Sequence, residues 1–196
     1  MMTIARFTAA TATLAATLLT TLVVSAVSPA TPAPVAPSEV SVARGEYIVN
    51  TTGCHDCHTP WIDGPNGPEP DMKLALTGHP AAMAMPPAPK LPPGPWLWMG
   101  GATNTAFAGP WGVSFTANLT PDKETGLGDW TADQFIATMR TGRRLGRGRP
   151  ILPPMPAAVY AKMTDDDLRS VFAYLRSLKP VSNRVPQPIE PADGGQ

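Results

Sequence analysis

The chain has 196 residues, 43% of them hydrophobic, enough to build the core of one domain with extensions. Its 15 Lys and Arg balance 15 Asp and Glu, so bulk charge points neither to nucleic acid nor to an acidic partner. Proline, at 25 residues, is more than twice as common as usual, which excludes uninterrupted helix or central strand over long stretches.

Residues 1–28 place one positive residue, Arg6, before an uncharged, mostly small and apolar run over 7–27, with Val24-Ser25-Ala26 as a small-residue cleavage site. That is the build of a secretory signal peptide. The run also approaches the ~20 residues that span a bilayer, so an uncleaved N-terminal membrane anchor is the alternative. On either reading the remainder is expected to be exported, in the periplasm where the cell has one. Residues 29–40, rich in Pro and Ala, read as an extended linker.

Residues 41–52 are a short helix candidate, and Gly45 within it leaves room for another helix to cross closely. This helix leads into "TTGCHDCHTP", which holds both cysteines and two of the three histidines. In an oxidising compartment Cys54 and Cys57 could form a disulfide, but closing so small a loop stabilises little. A thioredoxin-like redox pair requires a preceding strand in a βαβ pattern, and none is visible. Zinc requires two more ligands, with only His55 and His79 left to recruit. Cys-x-x-Cys-His is instead the pattern of covalent haem attachment. Two thiols three residues apart on a helical turn can each bond one vinyl group of the porphyrin. Cys54 and Cys57 are then the anchors of one haem c and His58 its proximal iron ligand, while His55 faces solvent.

Further along, Thr131-Ala-Asp-Gln134 is a capping box that opens a helix ending at Gly142, with Phe135, Ile136 and Met139 as its buried stripe. Arg140, Arg143, Arg144, Arg147 and Arg149 follow within ten residues, interleaved with glycines. This run is a solvated loop, a contact for haem propionates or a docking site for an acidic partner. The last helix, 165–178, is capped by Thr164 and carries three aspartates in its first turn. Leu168, Val171, Phe172 and Leu175 face the core at helical spacing. No segment reads as a convincing strand.

"GEYIVNTTGCHDCHTP", "ANLTPDKETGLGDWTADQF" and "ILPPMPAAVYAKMTDDDLRSVFAYLRSLKP" together resemble a monohaem c-type cytochrome of the class I kind, over residues 41–182. The resemblance implies an all-α, cytochrome c-like fold of about three to five short helices around one haem, with long Pro-rich loops. It implies that the first and last helices pack together near Gly45 and Tyr174. It also places a Met ligand in a rigid loop before the last helix, and Met155 in "LPPMP" fits that position; His79 is the bis-imidazole rival. Gly64-Pro65-Asn66 is similar to the family segment whose Pro carbonyl, here that of Pro65, accepts the second ring N–H of the proximal histidine. Asn118 and Trp130 are either propionate hydrogen-bond donors or an ordinary turn residue and a core indole.

The chain departs from the simplest members of the family in an insertion at about 69–115. With Trp96, Trp98 and Trp111 it is a lid over the haem, a docking surface or a wrap burying its aromatics against the domain. Residues 183–196 read as a flexible C-terminal tail. The function implied is single-electron transfer between a dehydrogenase and a respiratory acceptor, with a dehydrogenase, oxidase or other cytochrome as redox partner and no nucleic acid. The alternatives are a peroxidase- or oxidase-like haem enzyme, or the cytochrome subunit of a membrane dehydrogenase complex.

Overall fold

The three longest helices are capped by side chains of the residues that precede them. A computed structural model describes residues 39–191 apart from 89, 92 and 93; the expected signal peptide, almost all of the linker and the last five residues lie outside the described residues. Helix α1 (Val42–Thr51) starts where the Ser41 hydroxyl accepts from Arg44 N–H. Thr52 closes it, and Gly53 follows at φ +78°, a left-handed conformation that costs glycine nothing and lets the chain turn straight into α2 (Cys54–His58). Helix α3 (Ala132–Thr141) opens with both hydrogen bonds of the Thr131/Gln134 capping box and stops at Gly142, φ +63°. A single turn, α4 (Ala157–Tyr160), precedes α5 (Asp165–Ser177), whose Thr164 cap accepts from Asp167 N–H and whose first turn carries the three aspartates.

Helices α1 and α5 cross at Gly45, as the resemblance implied. A Cβ there would collide with the Ser170 carbonyl and with Cβ of Tyr174, so only glycine permits the approach. The Arg44–Asp167 ion pair (2.9 Å) and the bond from Ser41 N–H to Ser170 Oγ (3.2 Å) border the crossing. Ile48 and Val49 of α1, Phe135 and Ile136 of α3, and Leu168, Val171, Phe172 and Leu175 of α5 form the core with Leu76 and Leu127. In α3 the third fully buried residue is Thr138, whose hydroxyl satisfies itself on Gln134 C=O (2.7 Å); Met139 is only partly buried.

Among the described residues five helices agree with the expectation, but the fold is not all-α. Two small antiparallel sheets fill the region between α2 and α3. Strand β1 (Trp61–Gly64) pairs with β2 (Gly67–Pro70), and β3 (Met99–Gly100), β4 (Ala106–Gly109) and β5 (Gly112–Phe115) follow in order. The longest strands have four residues and begin or end in Gly or Pro, so they are too short to show alternation and too poor in β-branched residues to show propensity. The inserted Trp side chains form no lid. Trp96 is 74% exposed, Trp98 meets Phe107 edge-on, and Trp111 donates to Ser114 Oγ.

The tail is tied down from Asn183 as far as Ile189, contrary to the flexible tail expected there. Asn183 donates through Nδ2 to the carbonyls of Thr77 (2.7 Å) and His79 (2.9 Å), and its Oδ1 accepts from Ala81 N–H (2.9 Å). Ile189 then pairs with Val113 by two backbone hydrogen bonds, extending the sheet. Among the described residues no helix is long and apolar enough to cross a membrane.

Candidate functional site

Cys54, Cys57 and His58 project from α2 into a cavity of about 380 Å³, within the range of small-molecule and cofactor sites. Its wall is mostly apolar: Ile48 and Val49 of α1, Phe107 and Phe115 of the sheet, Leu127 and Trp130, Phe135 and Met139 of α3, and Leu168, Val171 and Leu175 of α5. Residues 151–156, Met155 among them, form another stretch, and residues 184–188 of the tail complete it. The Trp side chains of the insertion do not line it, whereas Phe107 and Phe115 do.

Both thiols are free, and burial is the main reason that each is pushed above the usual thiol range. They are accordingly neutral at neutral pH, unlike the thiolates of redox-active or metal-binding pairs. His58 Nδ1 lies 2.8 Å from the carbonyl oxygen of Ala117. A carbonyl only accepts, so Nδ1 carries the proton and the lone pair is on Nε2, which has no hydrogen-bond partner among the described residues. The carbonyl foreseen for Pro65 is therefore that of Ala117, and Pro65 sits in the β1–β2 turn. Ala117 is brought there by the segment 76–79, where Gly78 N–H binds His58 C=O (2.8 Å) and His79 N–H binds Thr116 C=O (3.0 Å). Gly78, at φ +76°, lies so close to Thr116 and Ala117 that a Cβ would strike their backbone.

The remaining residues singled out in the sequence divide. Trp130 lines the cavity, with the Arg144 guanidinium 5.5 Å from the centre of its ring. Asn118 touches the cavity, but its side chain is committed elsewhere: Nδ2 donates to Val181 C=O (2.8 Å) and Thr125 Oγ1, and Oδ1 accepts from both N–H and O–H of Thr120. No Asn118 donor remains for a propionate, because the loop uses its amide to bind the start of the tail. His79 is fully buried away from the cavity, with Nδ1 on Thr105 Oγ1 (2.9 Å) and Nε2 on Met83 C=O (3.0 Å). Both nitrogens are engaged, so it offers no lone pair to iron. His55 does not point to solvent either: Nδ1 meets Thr59 Oγ1 at 2.8 Å, and Nε2 is buried without a partner.

Four arginines stand apart. Arg44, Arg140, Arg169 and Arg184 each pair with a carboxylate and Arg176 donates to the carbonyls of Leu127 and Gly128, whereas Arg143, Arg144, Arg147 and Arg149 have no carboxylate within ion-pair distance among the described residues. Burial and then the like charge of Arg144 lower the pKa of Arg149. Arg144 and Arg149 line both the cavity and an adjoining groove, to which Arg147 and Gln187 also contribute.

The residues present fit a covalently attached haem c: two neutral thiols for the vinyl groups, an imidazole with Nε2 free, a thioether in the same cavity and an apolar wall. No protein-family model matches the chain. Over 151 residues it is 28% identical to the cytochrome c subunit of a quinone alcohol dehydrogenase of Gluconobacter oxydans (strain 621H), covering 76% of this chain and 24% of that protein. It is 28% identical over 148 residues to the fructose dehydrogenase cytochrome subunit of Gluconobacter japonicus, covering 75% and 23%. With the gluconate 2-dehydrogenase cytochrome c subunit of Pantoea cypripedii the identity is 28% over 146 residues, covering 74% and 25%. The chain is similar to c-type cytochrome subunits of dehydrogenases. It spans about a quarter of the length of these relatives.

Proposed function

We propose that the protein is an exported electron carrier with one haem c, His58 and Met155 as axial ligands, and the role of a cytochrome subunit or partner of a dehydrogenase. Bound at this site, haem supplies a one-electron iron couple whose potential a thioether ligand raises relative to two imidazoles. The chain's own residues do the rest. Cys54 and Cys57 hold the ring covalently, Ala117 C=O fixes the orientation and basicity of His58, and the apolar wall keeps water away. The reading rests on one observation: the attachment thiols, an imidazole with a free Nε2 and the Met155 side chain all line a single cavity. A methionine in that position would leave no open iron position for peroxidase- or oxidase-like catalysis, and the relatives are cytochrome subunits of dehydrogenases. Arg144 and Arg149 at the cavity, Arg147 in the adjoining groove and the neighbouring Arg143 are the proposed landing face for an acidic redox partner. Export, with residues 1–28 as signal peptide or membrane anchor, accords with the oxidising route on which haem c is attached.

Denaturing electrophoresis and optical spectra test this directly. Haem should remain on the polypeptide in the wild type and be lost from Cys54→Ala/Cys57→Ala, and both oxidation states should be low-spin with a weak near-infrared sulfur-to-iron band that Met155→Ala removes. Haem that washes out of the intact protein, or a high-spin spectrum, would reject the proposal.

A further inference from the structure

The Met155 side chain makes no hydrogen bond among the described residues, so its position depends on how neighbours hold its backbone. One is Ser114, whose hydroxyl donates to Pro153 C=O at 2.6 Å. The other lies downstream. Ala157 N–H binds Met155 C=O (2.9 Å) and Tyr160 N–H binds Pro156 C=O (3.3 Å), so the segment from Met155 to Tyr160 is one hydrogen-bonded turn. From its end the Tyr160 hydroxyl donates to Thr52 C=O at 2.6 Å, joining residues 108 apart in sequence.

Thr52 is where the haem-attachment turn begins. Its N–H and its hydroxyl both bind Ile48 C=O, at 2.9 Å and 2.8 Å, and the hydroxyl lies 3.6 Å from Cys54 Sγ. Its own carbonyl, at the C-cap of α1, has no helical partner and is left for Tyr160 to satisfy. Both residues line the cavity. On the other side of α4, Arg140 donates to Ala161 C=O and pairs with Asp165, so the turn is anchored at its carboxy end as well.

We infer that Tyr160 is a positioning residue for the distal ligand: its phenol ties the turn that carries Met155 to the turn that carries Cys54, Cys57 and His58. The inference rests on the proposed His58 and Met155 ligation. A bond that only capped α1 would alter folding stability alone. One that spans the cavity also sets how readily Met155 leaves the iron, because the loop that swings away must first break it.

The test is imidazole binding to the ferric, haem-loaded full chain, since imidazole competes with methionine for the iron. Tyr160→Phe keeps the ring and its packing and removes only the hydroxyl. A net hydrogen bond of this kind corresponds to roughly a three- to tenfold change in an equilibrium. Tyr160→Phe should therefore bind imidazole about three- to tenfold more tightly, while Tyr47→Phe, at an exposed tyrosine, should match the wild type. Unchanged imidazole affinity in Tyr160→Phe overturns the inference, whatever happens to the melting temperature. Failure of the ligation itself reads differently: the near-infrared band would then persist in Met155→Ala.

Discussion

The cavity has two kinds of wall. The stretch contributed by α1 and α2 comes from one short run, residues 48–58, held by helix caps and by the crossing at Gly45. The stretch contributed by residues 151–156 and 184–188 belongs to segments without regular structure, tied to distant parts of the chain by single side chains: Ser114, Tyr160 and Asn183. The first is stabilised by burying apolar surface and the second by individually replaceable hydrogen bonds. Damage should accordingly be cooperative in the first and graded in the second.

Four expected outcomes sharpen or break this contrast. Gly45→Val is the most severe, because its branched side chain meets backbone of α5 rather than a movable side-chain tip. Overpacking typically costs ~1–3 kcal/mol, and this contact should reach the top of that range or exceed it. Chemical denaturation with an unchanged slope would check it, and a loss under ~1 kcal/mol would show that the helices can part.

Asn183→Ala removes the three side-chain bonds that anchor the tail. At ~1 kcal/mol net per bond the loss should be ~2–3 kcal/mol, and amide exchange at Val113, whose N–H pairs with Ile189, should quicken. Protection of Val113 equal to the wild type would mean that the tail holds without Asn183.

His79 provides the pH-dependent case. Burial lowers its folded-state pKa below the ordinary 6.5, against a smaller opposing effect of Met83 C=O. The unfolded chain therefore takes up the proton first as pH falls. The contribution of His79 is constant above about pH 6.5 and is lost from there down to its folded pKa. Stability should decline over that window, and His79→Gln should flatten the decline. An identical pH profile for the variant would place the titration elsewhere.

The smallest effect belongs to the unpaired arginines. Arg143→Gln/Arg144→Gln/Arg147→Gln should slow oxidation of the reduced protein by hexacyanoferrate(III) several-fold at low salt and speed oxidation by the cationic tris(phenanthroline)cobalt(III). At physiological salt, where the Debye length is ~8 Å, the two effects should shrink together. Equal rates with both reagents at low salt would make the run a solvated loop.

The sequence by itself determined the Cys-x-x-Cys-His motif, the caps at Thr131 and Thr164, and the glycine crossing, because each depends on residues within a few positions or on the absence of a side chain. It also pointed to Met155 through the proline-rich loop around it. Only the tertiary structure decided which carbonyl meets His58: any residue type offers one, and Gly78 was the single local sign of the close approach that brings Ala117 there. Asn118, legible as a candidate ligand contact, is spent on Val181 and Thr120 because the tail folds back over it. The strands stayed hidden because none exceeds four residues. Tyr160 and Asn183 stayed hidden because their partners lie more than a hundred residues away, and a hydrogen bond to a distant backbone group leaves no pattern in the residues around either end.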